Sequence, residues 1–125
     1  LQLDADIISF HLPQNKETLN YYNADFCMSV KKPHILLNSS RGGIAPTSVI
    51  LEGLAQGKIT GACLDVLSEE SLIHTELQKE NNLIQQLLTY PVILTPHIAG
   101  YSFQAIEKMS DEIMHALIQH GFLIS

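Results

Sequence analysis

Arg41 is the only arginine in the 125-residue chain, and two glycines follow it. A guanidinium offers a planar fork of donors matched to a carboxylate, and glycine lets a ligand approach the backbone closely. His97, in Thr95-Pro96-His97-Ile98-Ala99-Gly100, is a candidate acid–base group. An imidazole in that role is oriented through its second ring nitrogen, so it needs a carboxylate partner. Glu69-Glu70 can supply one. Asp65 ends an apolar run, and a carboxylate buried there needs hydrogen-bond partners of its own. Singly, each signal has an ordinary counterpart: an arginine beside a turn, a solvated histidine, a solvated acidic pair. Together they are a cation, a carboxylate and an imidazole, provided the fold collects them.

Other constellations drop out. His115 and His120 lie five apart on a helical pattern and share no face well enough to hold a metal. No His, Cys or acidic pair has zinc spacing, so no metal site is expected. A Gly-x-Ser-x-Gly elbow is absent, which disfavours a serine hydrolase.

The elements that must position these residues follow from periodicity. Short β-branched runs alternate with helical patterns: strands at 6–10, 34–38, 62–66 and 92–94, helices at 23–30, 46–56, 74–88 and 102–120. Asn23 is a plausible N-cap, Pro46 suits a first turn, and Gly57 suits a left-handed stop. Val49, Ile50, Leu54 and Ala55 form the buried stripe expected of the second helix. Phe103, Ile106, Met109, Ile113 and Leu117 line one side of the last. Most strands are apolar on both faces, the pattern of a parallel sheet with helices on both faces. Ligands of such sheets bind at the carboxyl ends of the strands. His11-Leu12-Pro13, Ser39-Ser40-Arg41, Asp65 and His97 all fall there.

Four strands make a thin sheet, which reads as half of a doubly wound α/β domain. The chain lacks an initiator Met and begins close to an apolar run, as a fragment would. With 46% hydrophobic and 16% charged residues it has the composition of a folded domain. Its net charge of −6 argues against a nucleic-acid partner. No apolar run approaches the ~20 residues of a membrane span, and the first residues lack the basic region of a signal peptide. Cys27 and Cys63 are too few to staple a fold and read as free thiols in a reducing cytoplasm.

Three ordered motifs then resemble the D-isomer-specific 2-hydroxyacid dehydrogenase family over nearly the whole chain. Asn38-Ser39-Ser40-Arg41-Gly42-Gly43 resembles its Asn-x-x-Arg-Gly-Gly. Gly61-Ala62-Cys63-Leu64-Asp65-Val66 resembles its Gly-Ala-x-x-Asp-Val strand, and 95–100 its catalytic histidine loop. Asp65 and Glu70 stand 24 and 29 residues beyond Arg41, as the family pattern asks. The resemblance implies an NAD-dependent oxidoreductase that transfers hydride between nicotinamide and C2 of a 2-hydroxy or 2-keto acid, with NADP left open. It implies a catalytic trio of Arg41, Glu70 and His97. His11, Leu12, Pro13, Ser39 and Ser40 would contact the cofactor, with Arg41 and His97 beside it. Asp65 would hold the nicotinamide carboxamide, and Ala99-Gly100 would line its pocket. A homodimer is implied for the full-length protein.

Two departures stand out. The family's usual Glu-Pro is Glu70-Ser71 here, and the stretch from Glu70 to His97 is long because 74–88 looks inserted. Similar inserts occur in phosphoglycerate-dehydrogenase-like members, which tilts the substrate towards D-3-phosphoglycerate. Neither the Gly-x-Gly-x-x-Gly phosphate loop nor a substrate domain is seen, and the resemblance implies that residues 1–125 are the second half of a Rossmann-type doubly wound parallel sheet, the C-terminal part of the dinucleotide-binding domain. Alone, they should not turn over. The rival reading is a dinucleotide-sensing binding protein, like the corepressors built on this fold. A formate dehydrogenase is disfavoured, because that branch carries an amide where Glu70 stands.

Overall fold

A computed structural model describes residues 3–68 and 77–122. Four parallel strands, β1 (Ile7–Phe10), β2 (His34–Asn38), β3 (Ile59–Leu64) and β4 (Val92–Leu94), lie side by side in chain order. Helices α1 (Ala24–Ser29), α2 (Thr47–Ala55) and α3 (Leu77–Leu87) alternate with them, and α4 (Phe103–Gln119) follows β4.

Local chemistry sets these boundaries. Asn23 caps α1 by accepting from the Phe26 amide at 2.9 Å, and Ser102 caps α4 by accepting from Ala105 at 3.1 Å. Gly57 ends α2 in the left-handed region, with φ +70°. Pro46 takes the N-cap position of α2 rather than its first turn, and a 3₁₀ turn at Gly42–Ile44 precedes it. The third strand is Ile59–Leu64 rather than the expected 62–66, so it starts three residues earlier and ends two residues earlier. Gly61 belongs to the ladder opposite Ile35; a Cβ there would lie 3.1 Å from the Pro91 carbonyl, so the absent side chain admits β4 closely. Asp65 consequently sits just beyond the last β2–β3 pair, Asn38 and Leu64.

The helices that build the core pack on one face of the sheet. Phe10, Leu36, Ala62 and Leu64 are buried there with Ile44, Ile50, Leu54 and Leu87. Residues of the opposite face are open, Ile7 at 59%, Ile35 at 40% and Ile93 at 63% exposure. Topology explains the asymmetry. When parallel strands follow one another in one direction, right-handed crossovers put every connecting helix on the same side. Helices reach the second face of a doubly wound sheet only where the strand order reverses, and among the described residues it does not reverse. Ala55, expected in the α2 stripe, is exposed. No residue of α4 is buried, and Phe103 on its apolar side is 92% exposed.

One polar pair interrupts the core. The buried Tyr22 hydroxyl and His34 Nε2 lie 2.7 Å apart. Burial raises the Tyr22 pKa and lowers that of His34, so both groups are held neutral. The Tyr22 ring packs edge-on against Phe10, as does Phe26 of α1, which ties α1 and the residues before it to β1.

Candidate active site

The carboxyl ends of β2, β3 and β4 each release a loop that carries one of the singled-out residues. Buried polar side chains at two of those strand ends hold the loops. Asn38, the last residue of β2, is 1% exposed. Its Nδ2 donates to the Arg41 carbonyl at 3.0 Å, while its Oδ1 accepts from the Ser40 amide at 3.2 Å and from the Ser40 hydroxyl at 3.0 Å. The Arg41 side chain is exposed, and its Nη1 donates to the Ser40 carbonyl at 2.7 Å.

Gly42 explains one of the two glycines behind Arg41. A Cβ at Gly42 would stand 1.9 Å from the Leu67 carbonyl oxygen, well inside contact, so only glycine lets the arginine turn lie on the segment leaving β3. That segment is fastened again at Ser68, whose hydroxyl oxygen accepts from the Thr47 amide at 3.1 Å. Ser68 thereby occupies one of the free amides that open α2. Glu69 and Glu70 lie outside the described residues.

Asp65 is buried, and its carboxylate faces the loop after β4. Oδ1 accepts from the Thr95 hydroxyl and from the Ile98 amide at 2.9 Å, and Oδ2 accepts from the Ala99 amide at 2.9 Å. Burial alone would raise this carboxyl's pKa. The donors at Thr95, Ala99 and Ile98, with the nearby His97, outweigh it and hold the group below the usual carboxylate range. His97 lies inside this clamp with φ +54°, in the left-handed region that non-glycine residues seldom occupy. The three bonds on either side fix that backbone.

The sign of the Asp65 shift makes a prediction. A carboxyl with a depressed folded pKa stabilises the folded loop above its unfolded value of about 3.9, and that contribution is lost as pH falls through the folded pKa. Protection of the Ile98 and Ala99 amides, measured by hydrogen exchange relative to intrinsic rates, should therefore fall in acid. Asp65→Asn should lower it already at neutral pH by about fivefold, equivalent to ~1 kcal/mol for one hydrogen bond. The difference between variant and parent should shrink on acidification.

A shallow cavity of about 190 Å³ opens at these strand ends, and Leu37, Cys63 and Ile93 from the open sheet face contribute apolar lining. His11, Ser39, Asp65 and Ala99 line it as well, which brings four of the expected cofactor contacts together. His11 also meets Ser9, with the Ser9 Oγ and His11 Nε2 2.7 Å apart. Arg41 and His97 stand two residues beyond the lining residues Ser39 and Thr95 on the same loops. Leu12 is 39% exposed, Pro13 accepts from the Thr18 hydroxyl at 2.7 Å, and Ser40 and Gly100 belong to the turns around Arg41 and His97.

These residues fit the nicotinamide end of a dinucleotide. The apolar lining suits a ring face, and Asp65, with three bonds accepted among about four lone-pair sites, keeps acceptor capacity for a carboxamide N–H. Both cysteines are free thiols, Cys27 buried and Cys63 partly so. Among the described residues no cluster of His, Cys, Asp or Glu is suited to a metal ion, and no helix is long and apolar enough to cross a membrane.

Sequence reasoning assigned no role to Asn38, Thr95 or Ser68. Asn38 and Asp65 share a detectable signal, a polar residue closing an apolar strand. Thr95 and Ser68 carry none, because their partners are 30 and 21 residues away in the chain.

Comparison with known proteins gives a consistent picture. Residues 1–99 match the NAD binding domain described as D-isomer specific 2-hydroxyacid dehydrogenase. A D-lactate dehydrogenase of Streptococcus pyogenes serotype M1 is 31% identical over 121 residues, 93% of this chain and 37% of that protein. A glyoxylate reductase of Thermococcus litoralis is 35% identical over 115 residues, 92% of this chain and 32% of its own length. A solved D-2-hydroxyisocaproate dehydrogenase superposes with TM-score 0.80 at 26% identity, covering 97% of this chain and 39% of that one. The D-lactate dehydrogenase of Aquifex aeolicus, solved with NAD and lactic acid, superposes at TM-score 0.72 and 30% identity over 93% and 38%. The chain thus spans between about a third and two fifths of the length of these relatives.

Proposed function

This chain belongs to the D-isomer specific 2-hydroxyacid dehydrogenase family, and from that premise we propose that the complete protein interconverts a 2-keto acid and its D-2-hydroxy acid with NAD. The observation that carries the reading is the Asp65 clamp. A buried carboxylate at the end of β3, the strand next to the one that releases the arginine loop, holds the His97 loop in a left-handed turn beside a part-apolar cavity. In this proposal residues 1–125 are the C-terminal part of the dinucleotide-binding domain, and a phosphate-binding half and a substrate domain complete the catalytic unit.

NADH, when bound, supplies hydride to C2 of the keto acid. The remaining work falls to side chains. Arg41 pairs its guanidinium fork with the substrate carboxylate and polarises the keto oxygen. His97, as imidazolium, gives its proton to the oxygen as negative charge develops there, leaving neutral imidazole and the hydroxy acid. Glu70 holds the His97 ring and stabilises its charged form. Asp65 and Ala99, with His11, Leu12, Pro13, Ser39, Ser40 and Gly100, surround the nicotinamide end. In oxidation the proton returns to His97. Lactate, glyoxylate and glycerate chemistry in the relatives' names supports small 2-hydroxy and 2-keto acids as the substrate class, with D-3-phosphoglycerate one candidate within it. The reading also carries a homodimer and a reducing cytoplasmic setting, the latter supported by two free thiols.

The test is NADH oxidation by the complete protein against pyruvate, glyoxylate, hydroxypyruvate and 3-phosphohydroxypyruvate. Turnover of at least one at a catalytic rate is expected. NADH binding without turnover of any would favour a dinucleotide-sensing protein instead.

A further inference from the structure

We propose that Asn38 is the positioning residue that aims Arg41 at the substrate carboxylate; the inference rests on the dehydrogenase reading above. Asn38 is buried at the end of β2, and its amide is used at both ends on a single loop. The Oδ1 end gathers the amide and hydroxyl of Ser40, which sets the orientation of the residue whose carbonyl receives Arg41 Nη1. The Nδ2 end donates to the Arg41 carbonyl, which the Ile44 amide also reaches at 3.2 Å. One side chain therefore fixes the backbone on both sides of the Ser40–Arg41 peptide.

The main chain of Asn38 joins the second loop to the first. Its carbonyl accepts from the Asp65 amide at 2.9 Å, and Asp65 in turn holds the His97 loop. The guanidinium sits at the end of a long flexible side chain, so its direction depends on the backbone that launches it. A displacement of about 1 Å in a substrate-positioning group can cost ~10²-fold in rate.

Two substitutions separate this role from bulk stability. Asn38→Ala removes every side-chain bond. Asn38→Asp preserves volume and the acceptor for Ser40, but turns the donor facing the Arg41 carbonyl into an acceptor. In the complete protein, both should raise KM for the keto acid and lower kcat/KM by about 10- to 100-fold, with NADH affinity nearly unchanged. The decisive readout is a double-mutant cycle with Arg41→Ala. If Asn38 acts through Arg41, adding Asn38→Asp to Arg41→Ala costs less than about twofold further, since independent sites would instead add in free energy. A further loss as large as in the parent background overturns the proposal while leaving the dehydrogenase reading intact. So does unchanged kcat/KM in a folded Asn38→Asp protein. Failure of the parent protein to reduce any 2-keto acid overturns both.

Discussion

Replacing His97 with alanine in the complete protein should slow 2-keto-acid reduction by about 10²–10⁴-fold, the usual contribution of a positioned general acid. The effect should fall on kcat. NADH affinity should barely move, because His97 is exposed on its turn and the cavity lining comes from other residues. The loop itself should survive, since Asp65 grips the backbone amides of Ile98 and Ala99 together with the Thr95 hydroxyl, and these bonds do not depend on the imidazole. Glu70→Gln should lower kcat by itself and add little to His97→Ala, because residues that act as one unit are strongly non-additive. Single-turnover kinetics with NADH fluorescence separates the two quantities. Near-normal turnover by His97→Ala would remove the imidazole from the reaction.

Arg41→Lys is the second large effect. A lysine ammonium keeps the charge and loses the planar fork, so it cannot pair both carboxylate oxygens while polarising the keto oxygen. Loss of such a donor to developing negative charge typically costs ~10²–10³-fold in kcat, and here KM for the keto acid should rise as well. The folded state should be almost untouched, because the turn is shaped by the Arg41 backbone and by Asn38, and the guanidinium adds only an exposed bond to the adjacent Ser40 carbonyl, which an ammonium can also make. Steady-state kinetics beside thermal unfolding of the same variant checks both halves. A variant with unchanged KM and kcat would place the substrate carboxylate elsewhere.

Much of this architecture could be read from residue order. β2 and β4 have the limits that their β-branched runs give, and Asn23 and Gly57 act as cap and stop, because these signals are local. The start of β3 was less legible. Glycine is a turn residue in most contexts, and only the approach of Pro91 shows why Gly61 sits in a ladder. Covering both sheet faces was a fair inference from apolar strands, yet the order β1-β2-β3-β4 puts the packed helices on one side. Residue spacing brought Arg41, Asp65 and His97 to neighbouring strand ends. It could not show that Asp65 holds the His97 loop, nor that Asn38 holds the arginine turn, because those bonds depend on three-dimensional register. Asn38 and Asp65 both close apolar strands as buried polar groups, and the desolvation cost of such groups is what requires their bonds.

The most direct test of the central claim is product analysis with NADH deuterated at the transferable position of the ring. The complete protein, given this cofactor and an accepted 2-keto acid, should consume them in equal amounts and release the D-2-hydroxy acid with deuterium on C2. Arg41→Ala and His97→Ala should each suppress that product. Tight NADH binding with no labelled hydroxy acid from any 2-keto acid, or label appearing equally in the His97→Ala protein, would contradict the account.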